Sequence, residues 1–205
     1  MMKKMIKAIL VLTVVSIATA FTVVHPKGYK VGDVAADFSL ENIDGKMVSL
    51  ADYKEAKGFV VVFTCNTCPY SVAYEDRIIA LDKKYKRQGY PVIAINPNDP
   101  AVKSGDSMAA MKVRAKDKGF TFPYLFDKGQ KVYPMYGASR TPHIYILEKQ
   151  NGQNIVQYIG AIDNSSRDEA AVTERYAEDA IDALLAGKKP EKTYIRAIGC
   201  SIKTL

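Results

Sequence analysis

The sequence predicts one α/β domain, a mixed β-sheet sandwiched by helices with a β-hairpin extension on its N-terminal side. Three observations predict it. Residues 58–64 and 91–95 are continuous apolar, β-branched runs, as in strands buried on both faces. A helical stripe between them makes a right-handed parallel crossover. Two further apolar segments flank an Asn-Gly turn and add an antiparallel pair. A chain of 205 residues, 48% hydrophobic and 25% charged, accommodates one such domain with some decoration and is not disordered in bulk.

The N-terminus reads as an export signal. Lys3, Lys4 and Lys7 precede an apolar run over residues 8–20, and Ala18-Thr19-Ala20 supplies the small residues of a cleavage site. Residues 1–20 are therefore expected to be a signal peptide. The alternative is an uncleaved membrane anchor over residues 5–24, because Phe21 to Val24 lengthens the apolar stretch. Both place the remaining chain in the periplasm or cell envelope. The net charge of +7 falls to +4 without the three signal lysines, and the remaining bases are scattered among acids. That pattern is a solvated surface, and nucleic acid is not expected as a partner.

Residues 37–40 and 47–50, joined through Asp44-Gly45, form the expected hairpin. After the first buried strand, Tyr70, Tyr74, Ile78, Leu81 and Tyr85 line one face of a helix that Gly89 ends. A second strand, a turn-rich loop and a helix carrying Met108, Met111 and Ala115 follow, closed by Gly119. Residues 124–126 read as a short strand and 130–136 as a short helix. Residues 143–147 and 155–159 flank Gln150-Asn151-Gly152. For the last helix, Ser166 and Glu169 fit a capping box, and Tyr176, Ala180, Ile181 and Leu184 give the stripe before Gly187 and Pro190. The domain is expected over residues 30–187, with a tail over 188–205 that contains Cys200.

Chemistry concentrates at Cys65-Asn66-Thr67-Cys68, where a buried strand meets an amphipathic helix. Unpaired N–H groups and the positive end of the helix dipole favour a thiolate there. Pro69 suits the first turn because its missing N–H would have no intrahelical partner. A zinc site is poorly supported, since there is no second C-x-x-C and the histidines are only His25 and His143. Neither a metal nor a cofactor is expected. Thr141-Pro142 stands directly before a core strand, where a cis bond would turn Thr141 toward the dithiol and offer its backbone to a substrate strand.

Together, residues 31–40, Asp44-Gly45-Lys46, Ser49-Leu50, residues 63–69 and Thr141-Pro142 resemble the redoxin (alkyl hydroperoxide reductase/thiol-specific antioxidant) branch of the thioredoxin fold. The resemblance implies a thioredoxin-like three-layer α/β/α sandwich and an exported thiol-disulfide oxidoreductase. It makes Cys65 the attacking thiolate, Cys68 the resolving thiol and Pro142 a cis-proline facing them. It also implies protein thiols and disulfides as substrates and a membrane-bound electron donor. Thr64 replaces the usual aromatic residue before the first Cys, and Phe59 replaces the buried acid of thioredoxins.

Two other readings compete. Thr64 ahead of Cys68, with Pro69 after it, resembles the peroxiredoxin site, although Val60 stands where that motif begins with Pro. A copper carrier of this fold would use the two cysteines with His143. Cys200 reads either as a buried thiol holding the tail or as a third redox thiol.

Overall fold

The computed structural model describes residues 28–205. The expected signal peptide and anchor lie outside the described residues, and among these no helix is long and apolar enough to cross a membrane. In chain order the elements are β1 (Val34–Ala35), β2 (Ser39–Asn42), β3 (Met47–Ser49), β4 (Gly58–Phe63), α1 (Pro69–Tyr85), β5 (Val92–Asn96) and α2 (Met108–Lys118). They continue with β6 (Tyr124–Phe126), α3 (Val132–Tyr136), β7 (Arg140–Thr141), β8 (His143–Gln150), β9 (Gln153–Gly160), α4 (Tyr176–Leu185), β10 (Tyr194–Ile195) and β11 (Cys200–Ser201).

The main sheet runs β1-β9-β8-β4-β5-β6-β2-β3, with β10 added to β9. β4 and β5 pair in parallel, as do β5 and β6, whereas β8 is antiparallel to both β4 and β9. This is the mixed sheet the sequence predicts. All six residues of β4 and all five of β5 are buried, so their uninterrupted apolar runs have no solvent face to mark with polar residues. Alternation splits them between two cores. Val60 and Val62 meet Tyr74, Ile78 and Leu81 of α1 and Ile181 of α4 on one face. Phe59, Val61 and Phe63 meet Tyr136 of α3 and the N-terminal segment on the other. Complete burial of each such side chain contributes about 1.5–3 kcal/mol relative to exposure, which fixes the strand that leads into the dithiol.

Two local expectations are corrected. Tyr70 does not join the buried stripe of α1; it is half-buried, and its hydroxyl accepts from Arg167 Nη2 at 2.9 Å. Ser166 and Glu169 do not open the last helix. Asp168 caps a single 3₁₀ turn at Glu169–Ala171, and α4 begins only at Tyr176. The reason is competing polar chemistry. Asn164 Oδ1 accepts from the N–H groups of Thr173 and Glu174 at 3.0 and 3.1 Å, holding that segment outside a helix.

Residues 188–205 pack on the domain. β10 lies parallel to β9, with Tyr194 opposite Ile159 and Ile195 opposite Gly160. β11 lies antiparallel to β7, with Cys200 opposite Thr141 and Ser201 opposite Arg140.

Candidate active site

The site lies at the carboxyl end of β4. Thr64 carries the strand one residue further, its N–H donating to Ile95 O at 2.9 Å, and it is buried. Cys65 to Thr67 then form a short loop, and Cys68 is the N-cap of α1 with extended backbone (φ −81°, ψ 121°). Pro69 follows in the first turn, where a missing N–H leaves no helical hydrogen bond unmade.

The loop is held by a residue that the sequence did not single out. Asp106, fully buried, accepts from Asn66 N–H (2.8 Å), Thr67 N–H (3.2 Å), Thr67 Oγ1 (2.7 Å) and Asn98 Nδ2 (2.7 Å). Asn66 is held again by Tyr124 Oη, which donates to its Oδ1 at 3.0 Å. In sequence Asp106 is one acid in a polar loop, with no periodic or motif signal that separates it from a solvated one.

Thr141 joins the two sulfurs. Its Oγ1 is 3.3 Å from Cys65 Sγ, and its carbonyl oxygen is 3.0 Å from Cys68 Sγ. The bond from Thr141 to Pro142 is cis. Cys200 Sγ stands 2.7 Å from Cys68 Sγ, so the tail delivers a third thiol to the same point. Cys65 and Cys68 are each only 3% exposed, closed over by the fold and the tail, while Cys200 is half-buried.

The two thiols differ electrostatically. Cys68 is pulled down to about 4: the Cys65 thiol donates to it, and Cys200 and the N–H groups of Ser71 and Cys200 add to this against the effect of burial. The Thr141 carbonyl, which takes the proton of the neutral Cys68 thiol, opposes ionisation. The several donors at a helix N-terminus outweigh that one acceptor. Cys65 is pushed up, first by donating to Cys68, then by burial and by the Asp106 carboxylate. The resemblance assigns the attacking thiolate to Cys65; in this geometry the pKa of Cys68, at the N-cap of α1, is the one held down, first by the Cys65 thiol.

His143 is not brought to the dithiol. It lies opposite Phe63 on the sheet face away from α1, stacked at 4.9 Å on Tyr145, whereas Ile144 faces the core under α1. Burial lowers its pKa to about 4, so it is neutral, and its Nδ1 has no hydrogen-bond partner. Among the described residues, no group of three or more His, Cys, Asp or Glu side chains could hold a metal ion.

Known proteins place this geometry. A solved structure of an uncharacterized conserved protein from Geobacillus kaustophilus superposes with a TM-score of 0.78 at 34% identity, covering 86% of this chain and 93% of that one. Thiol-disulfide oxidoreductase ResA of Bacillus anthracis is 27% identical over 160 residues, covering 74% of this chain and 86% of the relative. Chloroplastic peroxiredoxin Q of Triticum aestivum is 32% identical over 144 residues, covering 62% of this chain and 57% of the relative. The AhpC/TSA sequence profile matches residues 31–159, from the N-terminal extension through β9 and across the dithiol and Pro142. With that span and a thioredoxin-like mixed sheet, the chain belongs to the AhpC/TSA family of thioredoxin-fold redox proteins.

Proposed function

We propose that this protein is an exported thiol-disulfide oxidoreductase working through Cys65 and Cys68. The observation that carries the reading is the paired thiols at the N-terminus of α1, both lying against Thr141 beside Pro142. The Cys68 thiolate attacks a substrate disulfide and forms a mixed disulfide, expelling one substrate thiolate. Cys65, after losing its proton, attacks Cys68 Sγ and expels the second. The substrate gains two electrons and two protons in all, and a Cys65–Cys68 disulfide remains. A donor of dithiol electrons then regenerates the site; outside the cytoplasm that donor is a membrane protein. The basic and apolar start of the sequence supports export, and the thiol-disulfide oxidoreductases among the relatives support protein disulfides as substrates.

The test is reduction of a disulfide-bonded protein such as insulin by the full chain with a small dithiol as donor. Wild type is expected to accelerate it, and Cys65→Ser and Cys68→Ser each to abolish the acceleration. Equal activity in wild type and both variants would overturn the proposal. Equilibration in a glutathione series then gives direction: a potential near about −270 mV marks a reductant and one near about −120 mV an oxidant.

A peroxidase is the second reading, favoured by the low pKa of Cys68 and the likeness to peroxiredoxin Q. The spacing counts against it, because Thr64 precedes Cys68 by four residues and the peroxiredoxin motif sets three. Stoichiometric peroxide that oxidises Cys65→Ser rapidly, but not Cys68→Ser, would decide for it.

A further inference from the structure

The tail is built onto the site. β11 pairs with the very residue, Thr141, whose backbone the dithiol reading reserves for a substrate strand. It can lie so close because Gly199 has no side chain: a Cβ there would sit 2.1 Å from Thr141 O and 3.2 Å from Pro142 N. A second glycine seats the upstream part of the tail, since a Cβ on Gly160 would sit 1.8 Å from Ile195 O. Downstream, Lys203 fixes the chain. Its N–H donates to Asn98 Oδ1 at 2.9 Å, and its carbonyl accepts from Asp99 N–H (2.9 Å) and Gln130 Nε2 (2.8 Å). Cys200 is thus anchored on both sides, with its sulfur 2.7 Å from Cys68 Sγ, about 0.7 Å longer than a disulfide bond.

We propose that Cys200 is a third redox thiol and that the tail strand is an internal substrate of the dithiol. The inference rests on the oxidoreductase reading, which supplies the Cys65–Cys68 disulfide. Cys200, as the thiolate, attacks Cys68 Sγ. The Cys68–Cys200 bond forms, the Cys65–Cys68 bond breaks, and Cys65 leaves as a thiolate that takes up the proton Cys200 gave up. No electrons are gained or lost, so no further oxidant or reductant is needed. The product ties β11 over the site and frees Cys65.

The experiment uses the full chain, equilibrated in a series of glutathione buffers, quenched with acid, alkylated and mapped by mass spectrometry. The expected result is a Cys68–Cys200 peptide pair with Cys65 alkylated, alongside molecules linked Cys65–Cys68. In Cys65→Ser, Cys68–Cys200 is expected as the intramolecular link. Cys200 alkylated in every sample while Cys65–Cys68 forms would overturn this inference and leave the oxidoreductase reading standing. Absence of both links would overturn both, and a Cys68–Cys200 link with no Cys65–Cys68 link in any wild-type sample would overturn the oxidoreductase reading and the exchange that rests on it.

Discussion

Asp106→Ala removes the carboxylate that organises the dithiol loop. Four donors lose their acceptor: two backbone N–H groups, the Thr67 hydroxyl and the Asn98 amide. A hydrogen bond to a charged group contributes about 1.5–3 kcal/mol, and the terms do not add. Asn66 and Thr67 are part-exposed, so water replaces much of what they lose, but Asn98 is only 2% exposed and is left unsatisfied. The expected loss is about 3–5 kcal/mol. With a urea slope of about 2 kcal/mol/M, the unfolding midpoint of the reduced protein falls by roughly 2 M. Asp106→Asn keeps an acceptor for the two N–H groups but sets an amide against Asn98, and is expected to cost about 1–2 kcal/mol. Because the carboxylate charge helps hold Cys65 in its thiol form, Asp106→Asn also brings ionisation of Cys65 to lower pH. A midpoint unchanged in Asp106→Ala, or a Cys65 titration unmoved in Asp106→Asn, would show that Asp106 is a bystander.

Further outcomes follow from the same geometry. In the reduced protein one thiolate, that of Cys68, is expected to titrate near 4 by its far-ultraviolet absorbance, and in Cys65→Ala the midpoint rises; an ordinary thiol midpoint of about 8.5 in wild type would refute the assignment. The sign for stability follows from a lowered pKa: the Cys68 contribution is present above the unfolded value and is lost as pH falls toward 4, so reduced wild type should lose more stability than Cys68→Ser on acidification. His143, neutral and buried with a pKa lowered to about 4, must be charged in the unfolded chain below about 6.5. Acidification from there toward 4 should therefore cost the wild type up to about 3 kcal/mol more than His143→Leu, and equal pH dependence in urea melts would sink that account. Gly199→Val drives a side chain into the Thr141 carbonyl and lifts β11, so alkylation of Cys65 and Cys68 should accelerate at least about tenfold; unchanged alkylation would mean that the tail does not shield them.

The sequence was most legible where one principle acted alone. The buried runs of β4 and β5 have a single explanation, and so does the Asn151-Gly152 turn, whose residues take φ values of 51° and 80°. The dithiol was legible because the spacing of two cysteines at a strand–helix junction has few other uses. Legibility failed where several weak polar forces compete. Ser166 and Glu169 satisfy a capping pattern, but Asn164 and Asp168 bind the same backbone in other ways. Which cysteine caps α1 was not legible for a related reason: it is a one-turn difference that the C-x-x-C string leaves undetermined. Asp106 and the seat of Cys200 were invisible because both act across long sequence separations, 40 residues from Asp106 back to Asn66 and 132 from Cys200 back to Cys68.

A dithiol whose two cysteines are each only 3% exposed must be uncovered before it can meet another protein, and the fold makes that a local event. Between β10 and Lys203 the covering segment buries one side chain, Ala197, and half-buries Ile202 against the core, while Arg196, Ile198 and Ser201 face solvent. Its ladder with β7 is two residues long. Releasing so little apolar surface costs a small fraction of global stability, so the strap opens in a protein that otherwise stays folded. The same segment, when seated, supplies the N–H and S–H groups of Cys200 that favour the Cys68 thiolate. Opening therefore exposes Cys68 and also withdraws two of its stabilising donors, which raises its pKa toward the value of an ordinary thiol and increases its intrinsic nucleophilicity once it is ionised. Protection and activation are in this way coupled through one short strand.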